Sequence, residues 1–107
     1  MVTKPIPEAA LLDASFDIER AATVLAALAH PVRYSMVSLM VDRAWSLRRL
    51  QKWLGITKYN AVHHMKIICE AGLVHTRAKG RVIYYKVDSE AAFRIVAYLG
   101  QAHKPQR

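Results

Sequence analysis

The sequence predicts a mainly α-helical domain carrying one small β-hairpin, α+β in class, with about five helices and a two-stranded ribbon. Three observations predict it. Apolar residues recur at helical spacing in five segments, each bounded by a residue able to cap or stop a helix. The run Val82-Ile83-Tyr84-Tyr85-Lys86-Val87 is instead β-branched and aromatic, with a glycine just before it. Charge is also unevenly spread: residues 33–86 hold eleven Lys/Arg against only Asp42 and Glu70, a balance of +9 in a chain of net charge +8.

Residues 1–14 contain Pro5 and Pro7 and no sustained period, and read as a loose N-terminal arm. One domain then spans residues 15–102, and residues 103–107 form a C-terminal tail. Ser15 is placed to N-cap a first helix through about Ala29, with Ile18, Ala21, Ala22, Leu25 and Leu28 on one face. The alanines of that face permit close helix–helix approach at a dimer seam. His30-Pro31 breaks the chain. Proline lacks an amide hydrogen and suits a first helical turn, so Pro31 opens a second helix through about Val41, with Val32, Met36, Leu39 and Met40 facing its core.

Ser46 caps a third helix whose buried stripe is Leu47, Leu50 and Leu54, and Gly55 ends it in a left-handed conformation. Thr57 caps the fourth, which Gly72 ends. There Ala61, Met65 and Ile68 fall at i, i+4 and i+7 and face inward, while Tyr59, His63 and Lys66 lie opposite, flanked by Asn60 and Ile67. Leu73–Thr76 and Val82–Val87 read as antiparallel strands around a basic tip, Arg77 to Arg81, turned by Gly80. Asp88 or Ser89 caps a last helix through about Gly100. Its Ala92, Phe93, Ile95, Val96 and Leu99 cover more of the circumference than a lone surface helix needs, which points to burial against a second subunit. The seam is therefore expected at Ile18, Ala22 and Leu25 of the first helix and Phe93, Val96 and Leu99 of the last.

Helix, turn, helix and basic hairpin in this order form a helix-turn-helix followed by a wing, an architecture that reads double-stranded DNA. A recognition helix turns its N-terminal residues toward base edges in the major groove, so its outer face must be polar. Thr57, Lys58, Tyr59, Asn60, His63, His64 and Lys66 meet that requirement. The Asn60 amide can pair bidentately with adenine, a contact that discriminates by about 1–3 kcal/mol. Lys58 and Lys66 suit phosphates, and His63 and His64 suit either. Arg77, Lys79 and Arg81 sit where a hairpin tip reaches the flanking minor groove. Arg48, Arg49 and Lys52, on the helix before the turn, are placed to clamp the backbone.

The composition narrows the alternatives. No apolar run approaches the ~20 residues that span a bilayer, and the N-terminus shows no apolar export signal. Cys69 is the single cysteine, which excludes an internal disulfide and fits a reducing cytoplasm. It is expected on the core side of the fourth helix as a small apolar residue. As a redox sensor it would need glutathione, a partner subunit or a sulfenic acid. His63-His64 cannot share a tetrahedral ion, since adjacent helical residues point ~100° apart. Trp45, Trp53, Tyr84 and Tyr85 are expected to pack the core and wing. No nucleophile–base constellation or phosphate-cradling glycine loop is present, so no enzyme is predicted. The competing class is a protein-interaction module, or a nonspecific coat on DNA.

Three segments resemble the ArsR family of winged-helix repressors over roughly residues 19–100: Leu25-Ala-Ala-Leu-Ala-His-Pro-Val-Arg33, His64-Met-Lys-Ile-Ile-Cys-Glu-Ala-Gly-Leu-Val74 and Gly80-Arg-Val-Ile-Tyr-Tyr-Lys-Val-Asp88. They are similar to the family's Leu-Ala-x-Pro-x-Arg, His-Leu-Lys-x-Leu-x-x-Ala-Gly-Leu-Val and Gly-Arg-x-x-Tyr-Tyr motifs. The resemblance implies a homodimer joined by its first and last helices, binding an imperfect palindrome and repressing transcription. It does not extend to metal sensing. Where arsenic and cadmium sensors carry a Cys-x-Cys pair, this chain has Ser46 and Arg48, and an arginine cannot serve as a ligand. Where zinc sensors carry Asp-x-His and His-x-x-Glu, it keeps Asp88 but has Glu90, Gln101 and Lys104. No metal or other cofactor is therefore expected. A small-molecule or redox effector is left open.

Overall fold

The computed structural model describes residues 17–102; the expected arm (1–14), Ser15 and the tail (103–107) lie outside the described residues. In chain order the elements are α1 (Ile18–Leu28), α2 (Pro31–Met40), β1 (Trp45–Ser46), α3 (Leu47–Leu54), α4 (Lys58–Glu70), β2 (Val74–Lys79), β3 (Val82–Val87) and α5 (Glu90–Ala102). The expected five helices are present. The expected two-stranded wing is a three-stranded antiparallel sheet in the order β1-β3-β2, because Trp45 and Ser46 pair with Tyr85 and Tyr84.

Local chemistry sets the helix limits. Asp17, not Ser15, is the N-cap of α1: its carboxylate accepts from the Arg20 amide at 2.9 Å. His30 caps α2 through its Nδ1, which accepts from the Val32 amide at 3.1 Å, with Pro31 at the first position. Ser46 and Thr57 cap α3 and α4 as expected, their hydroxyls accepting from Arg49 N at 3.2 Å and Asn60 N at 3.1 Å. Such caps contribute about 1 kcal/mol each. Gly55 closes α3 at φ +66°, the left-handed region that disfavours a side chain. At the last helix the cap is Ser89, whose hydroxyl accepts from Ala92 N at 3.2 Å.

One core gathers the helices against the sheet. Met36, Val37 and Met40 of α2 meet Leu50 of α3, Met65 and Ile68 of α4, Leu73 just before β2 and Val87 at the end of β3. From α1, Val24, Ala27 and Leu28 turn inward. That differs from the expected stripe, because the residues at Ala22 and Leu25 belong to the opposite, outward face. Leu25 is 57% exposed, and Tyr98 on α5 is 72% exposed.

The wing is longer and tighter than expected. Strand β2 runs on to Lys79 and pairs Arg77 with Tyr84 and Lys79 with Val82, so only Gly80 and Arg81 remain as the turn. Gly80 takes φ +63°, as the first residue of a two-residue hairpin loop favours. Arg77 and Lys79 are therefore strand residues, held to one face of the ribbon with His75, Tyr84 and Lys86 by the two-residue period.

Candidate nucleic-acid interface

Helix α4 presents the expected polar face. Lys58, Tyr59, Asn60, His63 and Lys66 are all exposed, Tyr59 at 80%. Thr57 begins the helix, and its hydroxyl is committed to the cap. Lys66 lies 4.0 Å from Glu70 one turn on, a solvent-exposed pair that contributes little.

Around that face the fold assembles cations from three separate elements. Arg48 of α3, Lys58 of α4 and Arg81 of the wing line one cleft together with Ser46, Leu47 and Val82 to Tyr85. A second groove continues from it through Arg48 and Lys58 to Gln51 and Lys52. Among the described residues no carboxylate lines either groove, so their positive field is not compensated there. On the other side of the hairpin, Arg77, Lys79, Tyr84 and Lys86 line a groove with His75 and Ala44. Lys86 is not among the DNA contacts expected from the sequence. The signal was available in the hairpin register, which sets it opposite His75 on the same face as Arg77. Its ammonium donates to the Val41 carbonyl at 3.0 Å and lies 5.6 Å from the Phe93 ring centroid, so it also braces the wing.

Three residues are placed differently from expectation. The sequence places His64 among the DNA-facing residues, but it is 8% exposed. It falls at i+3 of the Ala61, Met65, Ile68 stripe and turns inward with it. Burial first, then the positive charges of His30, Arg33 and His63, hold its pKa below the ordinary histidine value. Arg49 does not join the cationic cleft: its guanidinium carbon sits 4.6 Å above the Trp45 ring, a cation–π contact. Cys69 was expected inside and is exposed, since eight residues past Ala61 puts it about 80° off the buried stripe. Partial burial, then the Glu70 carboxylate, still raises its thiol pKa.

The aromatics divide. Trp45 is buried and Tyr84 and Tyr85 are half-buried, as packing requires, but Trp53 is 69% exposed and meets Trp45 edge-on at a centroid distance of 5.9 Å.

The expected seam residues form a separate surface. Ile18, Phe93, Val96 and Leu99 are half-buried, while Ala22 and Leu25 are exposed. Between α1 and α5 runs a groove lined by Asp17, Arg20, Leu25, Asp88, Glu90 and Ile95 among others. Among the described residues no three His, Cys, Asp or Glu side chains converge as a metal set, and no helix is long and apolar enough to cross a membrane.

Two helices joined by a tight turn, followed by a basic hairpin, define the class of this fold: a winged helix-turn-helix. Comparison with known proteins agrees. No family model matches the chain. It is 29% identical over 75 residues to a protein of Xylella fastidiosa named biofilm growth-associated repressor, a match covering 70% of this chain and 66% of that protein, just under two thirds of its length. The crystal structure of NolR from Sinorhizobium fredii superposes with a TM-score of 0.79 at 23% identity, covering 97% of this chain and all of that one. The solution structure of Mb0332 from Mycobacterium bovis, described as a homodimeric winged helix-turn-helix DNA-binding domain and a possible ArsR-family regulator, gives 0.70 at 22% identity over the whole of both chains.

Proposed function

We propose that the chain is a homodimeric, sequence-specific DNA-binding transcriptional repressor that acts in the cytoplasm. The observation that carries this reading is the convergence of Arg48, Lys58 and Arg81, from three different elements, on one cleft beside the exposed polar face of α4. A solvated basic surface has no reason to gather cations from distant parts of the sequence around one outward helix. Duplex DNA supplies that reason. Phosphates occupy the grooves while Tyr59, Asn60 and His63 face base edges, with Asn60 the principal reader. The repressor named for Xylella fastidiosa and the homodimeric domain of Mb0332 support the same assignment.

The dimer reading rests on α1 and α5, whose Leu25 and Tyr98 stand exposed in the single chain. A winged helix bound to an imperfect palindrome needs two copies, and these helices provide apolar surface away from the reading face. The resemblance to the ArsR family extends this proposal to the palindrome and to repression. It does not extend to metal sensing: the two positions that hold cysteines in metal-sensing members are committed here, Ser46 to the cap of α3 and Arg48 to the cleft. No metal, cofactor or catalytic role is assigned.

The test is a selection of bound duplexes from a random pool, followed by anisotropy titration of the recovered sequence against a scrambled one. The expected result is a palindromic consensus bound roughly 10³-fold or more tightly than the scramble. Equal affinity for both would leave a nonspecific coat on DNA. No binding to either would leave a protein-interaction module.

A further inference from the structure

The expected reading face of α4 is described above; its opposite face carries an arrangement which that role does not require. Arg33, on the first turn of α2, reaches in two directions. Its Nε donates to the Ala27 carbonyl at 2.7 Å and Nη2 to the Ala26 carbonyl at 3.3 Å, at the C-terminal end of α1. Nη1 lies 3.3 Å from Nδ1 of His64 on α4. A guanidinium has no acceptor, so it must be the donor, and His64 Nδ1 must carry no proton. The His30 ring is 4.5 Å from that of His64, and its own Nδ1 is likewise an acceptor, for the Val32 amide that starts α2.

Resting on the DNA-binding reading of α4, we propose that Arg33 is a positioning residue: it ties the seam helix α1 to the recognition helix α4 through His64, and acid releases that tie. A single fork thus joins the end of the helix expected at the dimer seam to the helix expected in the groove. The tie exists only while both imidazoles keep Nδ1 free. Protonating His64 turns an acceptor into a donor aimed at a guanidinium, and protonating His30 also removes the cap of α2. The charged groups acting on His64 are His30 from the α1–α2 turn, Arg33 from α2 and His63 from α4 itself, all of one sign. Glu70 shares a cleft with Arg33 and Thr23, but its carboxylate pairs with Lys66 at 4.0 Å.

The sign follows from linkage. A histidine whose folded pKa is depressed binds fewer protons folded than unfolded, so its stabilising contribution is present above the ordinary value and lost as pH falls through the ordinary value toward the folded one.

The experiment measures anisotropy of the selected duplex with the full chain, from about pH 7.5 to about pH 5.5, across the ordinary histidine range. It compares the wild type, His64→Asn and Arg33→Lys. The asparagine oxygen stands in for Nδ1 and cannot be protonated; His63 is common to all three proteins and cancels. The proposal expects the wild type to lose roughly tenfold more affinity than His64→Asn over that interval. Arg33→Lys, a point charge that cannot bridge three acceptors, should bind roughly tenfold more weakly at the upper pH. Identical pH profiles for wild type and His64→Asn overturn the proposal, as does wild-type affinity in Arg33→Lys. If no duplex is bound by any form, the DNA reading fails, and amide hydrogen exchange of the free proteins decides the tie by itself. Exchange over residues 61–70, corrected for intrinsic rates, must rise more on acidification in the wild type than in His64→Asn, which keeps His30 but has no imidazole at position 64.

Discussion

The reading head and the surface expected at the dimer seam share one small core yet differ in charge and polarity. The head, built from α3, α4 and the wing, exposes cations and polar groups: Arg48, Lys58, Arg81 and Asn60, with no carboxylate in its grooves among the described residues. The expected seam, on α1 and α5, exposes Leu25 and Tyr98 and places Asp17, Asp88 and Glu90 along its groove. A basic surface suits a polyanion, and an apolar surface with mixed charge suits another protein. The contrast shows that the +8 of the chain is not a general solubility device. Among the described residues, Arg48, Lys52, Lys58 and Arg81 line the grooves of the face where phosphate is expected, while the groove between α1 and α5 sets Asp17, Asp88 and Glu90 beside Arg20.

That comparison can be broken from either side. The largest effect is expected at the seam. Leu25→Glu should yield monomers in sedimentation and weaken binding to the palindrome by roughly 10²-fold, because the second half-site loses its linked partner. A dimer of unchanged affinity would move the seam elsewhere. On the head, Asn60→Ala should cost about 1–3 kcal/mol of discrimination at one base position, read by competition with single-base variants. Arg81→Ala should weaken all duplexes alike and lower the slope of log K against log salt by about one unit. An unchanged slope would remove the wing tip from the contact. Thr57→Ala should cost about 1 kcal/mol of unfolding stability in a denaturant titration, through the lost cap of α4. The smallest effect is expected at Cys69. With its thiol pKa raised, iodoacetamide should alkylate it more slowly at neutral pH than a free thiol, because less thiolate is present.

Much of the fold was legible in the sequence because its signals are local. Ser46, Thr57, Gly55 and Pro31 act on amides within a turn of themselves, and each bounds a helix where expected. What escaped is what depends on distance. Strand β1 is two residues long, too short for any period, and exists because β3 lies beside it. Arg33 and His64 are 31 residues apart, so no spacing rule joins them. His64 and Cys69 were misplaced for a different reason, the phase of α4. An apolar stripe read at i, i+4 and i+7 omits its i+3 member, His64, and a count of eight residues overshoots the buried face at Cys69.

The candidate site divides in the same way. The polar face of α4 followed directly from helical phase. The shared cleft of Arg48, Lys58 and Arg81 needed the fold, because nothing in the sequence sets a hairpin turn beside two helix N-termini.

The most direct measurement of the division between head and seam is a hydroxyl-radical footprint of the selected duplex, with the stoichiometry of the complex taken by sedimentation. Two chains per duplex and two protected backbone patches, centred one helical turn of roughly 34–36 Å or a multiple apart, are the predicted result. A single chain protecting one half-site, or protection that ignores sequence, would contradict it.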